Sequence, residues 1–186
     1  MSNPIAQSTT AFLDGLDETV REAAEDVVSR KAARVKDDGI TLTLEEEINL
    51  AKAIKYVAAT DGFSRDEQGA LEFLMIMASI PHELQRHVMA YDVSGLDLDQ
   101  VSALFPRASR KAAYVLSGAT TVAAFDGLSP EELARARELG ERFGLEPKVV
   151  EALIAHAWAM GLAMSRGDRQ LVEALQRLQH VLLGWV

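Results

Sequence analysis

Apolar residues recur at three- and four-residue steps along almost the whole chain. This period is that of an amphipathic α-helix with one face against a core, and a strand would alternate every second residue instead. An early example begins at Leu13 and continues through Leu16, Val20 and Ala24, with charged residues between them. The pattern predicts an all-α protein whose first helix ends near Gly39.

Four short motifs predict where further helices begin. In a capping box, a Ser, Thr or Asp side chain and a Glu or Gln three residues later hold the backbone N–H groups that a helix start leaves free. The four motifs are Thr43-Leu-Glu-Glu46, Ser64-Arg-Asp-Glu67, Asp97-Leu-Asp-Gln100 and Ser129-Pro-Glu-Glu132. Each one predicts a helix that starts immediately after its first residue.

Other boundaries follow from proline, glycine and apolar spacing. Pro81 predicts a short helix as far as Tyr91, and Pro147 opens a helix that is apolar nearly all round up to about Ser165. Asp168 predicts a last helix with one apolar stripe. The stripe consists of Leu171, Leu175, Leu178 and Leu182.

The helix after Thr43 is predicted to run to about Thr60 and to bury one face. That face consists of Ile48, Ala51, Ile54, Val57 and Ala58. Lys52 and Lys55 lie off this stripe, so they are not part of the predicted core.

One acidic segment occurs twice. VAATDGFSRDE begins at Val57, VAAFDGLSPEE begins 65 residues later at Val122, and seven of the eleven positions are identical. Apolar positions outside the segment match at the same offset, and they are Leu74 with Leu139, Ile80 with Leu145, Leu84 with Val149 and Val88 with Leu153. An internal duplication is the simplest account, and each half alone would leave its apolar face uncovered.

The predicted architecture is therefore a single all-α domain over residues 1–186, a compact bundle of about eight helices built from two repeated hairpins. The first repeat covers residues 44–91 and the second covers 108–165. An N-terminal helix is expected within 1–40 and a C-terminal helix over 168–186.

Composition narrows the class of function. The formal net charge is −9 and the pI is about 4.9, which disfavours binding to a nucleic-acid backbone. The chain has no cysteine, which excludes disulfides and thiolate ligands and fits a reducing compartment. No secretory signal is recognised, and the most apolar stretch, Val149 to Met164, is shorter than the ~20 residues that span a bilayer. We expect a cytoplasmic protein without a membrane span.

The duplicated segment resembles the TerB tellurite-resistance family and its TerB-like relatives. The resemblance rests on Val57-Ala-Ala-Thr-Asp-Gly-Phe-Ser-Arg-Asp-Glu67 and on Val122-Ala-Ala-Phe-Asp-Gly-Leu-Ser-Pro-Glu-Glu132, and it covers roughly residues 44–160. It implies a fold of duplicated helical hairpins, a role in bacterial stress response without established catalysis, and an acidic cluster that holds a divalent metal ion.

The candidate metal ligands are Asp61 and Glu67 in the first turn and Asp126 and Glu132 in the second. Hard divalent cations prefer clustered carboxylate oxygens, so calcium, magnesium or zinc held between Asp and Glu across each turn is one interpretation. The other is purely structural, because each Asp can form an Asx turn and each Glu belongs to a capping box. Both stay open. Neither turn has the carboxylate spacing of an EF-hand loop.

Motifs for catalysis are absent. His82 and His87 are five residues apart, not the four of the zinc-protease helix, and no phosphate loop or nucleophile elbow occurs. His156 is surrounded by apolar residues and is interpreted as a hydrogen-bonded core histidine. We predict a non-enzymatic, TerB-like stress-response protein that binds a divalent cation. The alternative is a protein-interaction scaffold whose acidic turns are purely structural, with a protein partner or a second copy docked on a methionine-rich surface or on the apolar C-terminal end from Leu183 to Val186.

Overall fold

The computed structural model describes residues 3–34 and 40–186, and within these ranges the chain forms ten α-helices and no β-strand. The all-α class is therefore confirmed, with two helices more than the sequence predicted. The helices are α1 (Pro4–Asp14), α2 (Glu18–Arg34), α3 (Leu44–Ala58), α4 (Arg65–Met77), α5 (His82–Ala90), α6 (Leu98–Ser102), α7 (Arg110–Ala123), α8 (Pro130–Arg142), α9 (Pro147–Ser165) and α10 (Arg169–Leu183).

The N-terminal segment holds two helices where the sequence predicted one. The Oδ1 atom of Asn3 accepts hydrogen bonds from the backbone of Ile5 at 3.0 Å and Ala6 at 3.3 Å, so α1 has a capped start of its own. Gly15 ends α1, and α2 begins three residues later at Glu18. Both helices have the same apolar spacing, so the periodic pattern does not show the break between them. The predicted end near Gly39 lies outside the described residues.

All four predicted capping boxes are present. The backbone N–H of Thr43, Ser64, Asp97 and Ser129 donates to the side chain three residues later, over distances of 2.9, 2.8, 3.0 and 2.8 Å. They start α3, α4, α6 and α8. These starts were predictable because a capping box is local chemistry, complete within four residues.

The hairpins α3–α4 and α7–α8 share backbone features at a spacing of 65 residues. Gly62 and Gly127, which connect the helices of each hairpin, have φ angles of +124° and +118°. Beyond α4 and α8, the N–H of Ile80 donates to Met75 O at 2.9 Å and the N–H of Leu145 donates to Gly140 O at 3.1 Å. The two corners therefore follow the same backbone path.

Helix α3 is buried on nearly every side, which differs from the amphipathic helix that the sequence predicted. Lys52 and Lys55, expected off the apolar stripe, are both buried. Helix α1 covers Lys52, and the end of α5 covers Lys55, whose ammonium donates to Met89 O at 2.6 Å and Tyr91 O at 2.8 Å. The apolar periodicity of α3 does not predict this burial, because the residues that cover the two lysines belong to distant parts of the chain.

Helices α7, α9 and α10 form the other half of the core. Gly161 brings α9 directly against α7, since a Cβ at this position would lie 2.6 Å from Thr121 O. Two details correct the sequence prediction. Trp158 is 45% exposed, so one side of α9 faces solvent although the helix is apolar nearly all round. In α10, Leu175 and Leu182 of the predicted stripe are buried, whereas Leu171 and Leu178 are exposed.

No helix among the described residues is both long enough and apolar enough to pass through a bilayer.

Candidate functional site

The side chains of Glu67 and Glu132 meet where the two hairpins pack together. Each is the third residue of its helix, α4 or α8, and each is only 2% exposed. Their Oε2 atoms accept the backbone N–H of Ser64 and Ser129, both at 2.8 Å. The capping boxes therefore hold both carboxyl groups in a defined orientation, and the two groups lie close enough to change each other's acidity.

Burial changes the acidity of this pair. Loss of hydration raises the pKa of Glu67 to about 8, and the adjacent Glu132 adds to the rise while the Ser64 N–H opposes it. Burial also raises the pKa of Glu132, although its hydrogen bonds to Ser129 and Glu67 act in the opposite direction. Two carboxylates in contact titrate as one unit, and the raised pKa of both groups favours a proton shared between them at neutral pH.

One oxygen of each carboxyl group lacks a conventional donor. The Oε1 atoms of Glu67 and Glu132 are buried and receive no N–H or O–H from any other described residue. An unsatisfied buried polar atom costs on the order of 1–3 kcal/mol, so natural structures rarely keep one without a reason. A proton or a cation between the two groups would satisfy both atoms.

The aspartates of the two turns are exposed, and neither side chain accepts a hydrogen bond within the described part of the chain. The negative charge of Asp61 nevertheless raises the pKa of Glu132 in the opposite hairpin. The sequence paired Asp61 with Glu67 and Asp126 with Glu132. The structure instead brings the two glutamates together and places Asp61 near the glutamate of the other turn.

A sequence signal for this pairing existed. Glu67 lies on the inward stripe of α4 with Leu71 and Met75, and Glu132 lies on that of α8 with Ala136 and Leu139. A charged residue in phase with a buried stripe needs a partner inside the protein. Within the described residues, no group of three His, Asp or Glu side chains is arranged to hold a metal ion.

A groove of about 780 Å³ lies beside the first turn, between the end of α3, the segment after α5, and α8. On its wall, Arg135 donates to the hydroxyl of Tyr56 at 2.8 Å. The equivalent surface of α7, at Thr121 and Ala124, is covered by α9 at Gly161. The groove exists because α5 ends at Ala90, whereas α9 continues for ten more residues.

The interpretation of His156 as a hydrogen-bonded core histidine is confirmed. Its side chain is buried, and Nε2 lies 2.8 Å from Leu175 O, linking α9 to α10.

Comparisons of the chain with models of protein families, with curated proteins and with solved structures find no match. The function is therefore inferred from the geometry of the site.

Proposed function

We propose that this chain is a non-enzymatic, TerB-like stress-response protein that holds a divalent cation between its two hairpins. Glu67 and Glu132 would be the protein ligands, and Asp61 and Asp126 would add negative charge beside them. The observation that carries this proposal is the pair of buried Oε1 atoms, which point to a shared cationic partner.

The matching backbone of the two hairpins supports the TerB-like part of the proposal. The resemblance rested on two copies of one segment, and Gly62 and Gly127 give both copies the same turn. Each copy also places its glutamate at the third position of a helix, where a capping box holds it.

The chemistry of the pair suits a hard cation. The Oε2 atoms are engaged by Ser64 and Ser129, which leaves the Oε1 atoms for an ion. Mg²⁺ is commonly held by one or two carboxylates and keeps several waters, so a site with two protein ligands matches its usual coordination. A cation would have to displace the shared proton, so binding at neutral pH is expected to release about one proton.

Titration calorimetry with MgCl₂, CaCl₂ and ZnCl₂ at millimolar concentration tests the proposal. We expect saturable heat whose size depends on the ionisation enthalpy of the buffer, because a proton leaves the pair. Glu67→Gln and Glu132→Gln should abolish this heat, and Asp61→Asn and Asp126→Asn should weaken the affinity several-fold. The matched control is Glu131→Gln, an exposed residue beside Glu132. Absence of heat with all three ions would contradict the proposal.

A second candidate function, a protein-interaction scaffold, is favoured by the outer surface of α10. Three large apolar side chains of α10 and one just beyond its end are 43–60% exposed, and they are Leu171, Leu178, Val181 and Trp185. The spacings of seven and three residues within α10 are those of a coiled-coil seam, which suits a helix from a partner or from a second copy.

Light scattering coupled to size-exclusion chromatography tests this surface. If a second copy docks there, the wild type is expected to be a dimer at micromolar concentration. Leu178→Glu and Val181→Glu should give monomers with unchanged cation binding, because α10 lies outside both hairpins. Gln176→Glu adds the same charge at another exposed position of α10 and should leave the dimer intact. A monomeric wild type rejects the second copy as occupant.

A further inference from the structure

A buried lysine lies beneath the first helix, and no acidic side chain among the described residues pairs with it. Lys52 of α3 is 0% exposed, and its ammonium donates to Ser8 Oγ at 3.2 Å and Thr9 Oγ1 at 3.0 Å. The same ammonium lies 4.3 Å from the centre of the Tyr91 ring. These contacts satisfy its three N–H groups but leave its charge without a carboxylate, which is costly in a protein interior.

Helix α1 also covers a histidine. The ring of His87 on α5 stacks on the ring of Phe12 on α1, with 3.8 Å between centroids and 10° between planes. Its Nε2 atom is buried and has no hydrogen-bond partner. Two basic groups are therefore shielded from water by one helix, which contributes hydroxyl groups and a phenyl ring but no carboxylate to them.

The remaining contacts of α1 are largely polar. Thr9 donates to Asn49 Oδ1 at 2.6 Å, Thr10 donates to Glu45 Oε1 at 2.9 Å, and Asn3 donates to Gln100 O at 2.5 Å. Water can replace such bonds at little cost, and only Ile5, Thr9 and Leu13 of α1 are buried, with Phe12 packed partly against the core. A helix with so few buried side chains opens more readily than a helix that is buried along its length, such as α3.

We propose that α1 is an acid-released strap, which leaves α3 and α5 when the pH falls because its docking buries Lys52 and His87 without an acidic partner. Release would uncover the polar face of α3 that carries Asn49 and Lys52.

The direction of the pH effect follows from both bases. Burial lowers the pKa of Lys52 to about 8. Burial, with the charge of Lys52 as a smaller cause, lowers the pKa of His87 to about 4. Once α1 leaves, both pKa values return toward the ordinary values of about 10.4 and 6.5. As the pH falls below about 6.5, His87 becomes protonated in the released form but stays neutral in the docked form, so acid favours release.

Other charged groups around α3 have partners elsewhere. Glu45 is bonded to Thr10, and Glu47 is paired with Lys31 of α2 at 2.5 Å. The burial of Tyr91 and the charge of Asp92 raise the pKa of the Tyr91 hydroxyl, so this group stays neutral in acid. His87 is thus the group close to Lys52 whose protonation changes as the pH falls below neutral.

Hydrogen exchange measured by mass spectrometry tests the strap on the full chain. Protection factors, corrected for the intrinsic effect of pH, are compared between pH 7.5 and pH 5 for peptides from α1 and α9. We expect protection of α1 to fall by at least about tenfold more than protection of α9. His87→Phe keeps the stacking and cannot take up a proton, so it should remove most of the difference. His82→Phe, on the exposed side of α5, is the control and should behave as wild type.

Lys52→Met is a second, independent variant. It removes the buried charge, so it should raise α1 protection about tenfold or more at both pH values. Equal loss of protection in α1 and α9, an unaltered acid response in His87→Phe, or unchanged protection in Lys52→Met would each overturn the proposal.

Discussion

Replacing Gly161 by alanine is expected to destabilise the protein by about 2–3 kcal/mol, as overpacking does in a tightly packed core. The new methyl group would lie 2.6 Å from Thr121 O and 2.8 Å from the Cβ of Ala124, and these are backbone or near-backbone atoms of α7 that cannot turn aside. Helix α9 would have to move away from α7. Urea denaturation followed by circular dichroism measures the change.

Gly69→Ala is the matched control. Gly69 also lies within a helix, but a Cβ there meets nothing within 4 Å. Alanine is the better helix former, so this variant should gain on the order of 0.5–1 kcal/mol. Equal and small effects of the two substitutions would show that α9 and α7 are not in the close contact described.

Replacing Glu67 by glutamine is expected to stabilise the protein at pH 8 by about 2 kcal/mol, and glutamine can keep the capping box. The amide oxygen can still accept the Ser64 N–H, and the amide nitrogen can donate to Glu132 without needing a proton from solution. The variant therefore carries permanently the donor that the wild type holds only while the carboxyl pair is protonated.

The sign follows from the pKa of Glu67, which burial raises to about 8 in the folded state, well above the value of 4.5 for a free glutamate side chain. The folded state keeps a proton that the unfolded chain loses. This contribution to stability is complete below about pH 4.5 and disappears as the pH rises through about 8. The advantage of Glu67→Gln over the wild type should therefore grow from near zero at pH 4.5 to its full size at pH 8.

Denaturation of both proteins in EDTA from pH 4.5 to 9 measures this difference without bound cations. Glu131→Gln, which changes an exposed carboxylate in the first turn of α8, should show no such growth. A constant difference between Glu67→Gln and wild type across the range would argue against a shared proton.

The parts of this fold that local chemistry determines were predictable from the sequence. Ser64 and Ser129 with their glutamates define helix starts within four residues, and the repeated segment shows which helices correspond. The break at Gly15 was missed because the apolar spacing continues across it from α1 into α2.

The parts that depend on distant neighbours were not predictable in the same way. The sequence placed Lys52 off the apolar stripe, but the packing of α1 covers this side of α3 and buries the lysine. The candidate site is similar. Glu67 and Glu132 were identified as candidates, yet their contact depends on how the two hairpins are placed relative to each other. The spacing of residues within one hairpin does not predict that placement.

The location of the glutamate pair has a consequence for the history of the chain. One hairpin supplies a single buried carboxyl group, and the interaction of Glu67 with Glu132 needs one from each side. An ancestral gene that encoded only one such unit would meet this requirement by homodimerisation, with the glutamates on the symmetry axis. If the two similar segments arose by fusion of two gene copies, that axis would have become internal, and the halves would have been free to diverge into a short α5 and a long α9.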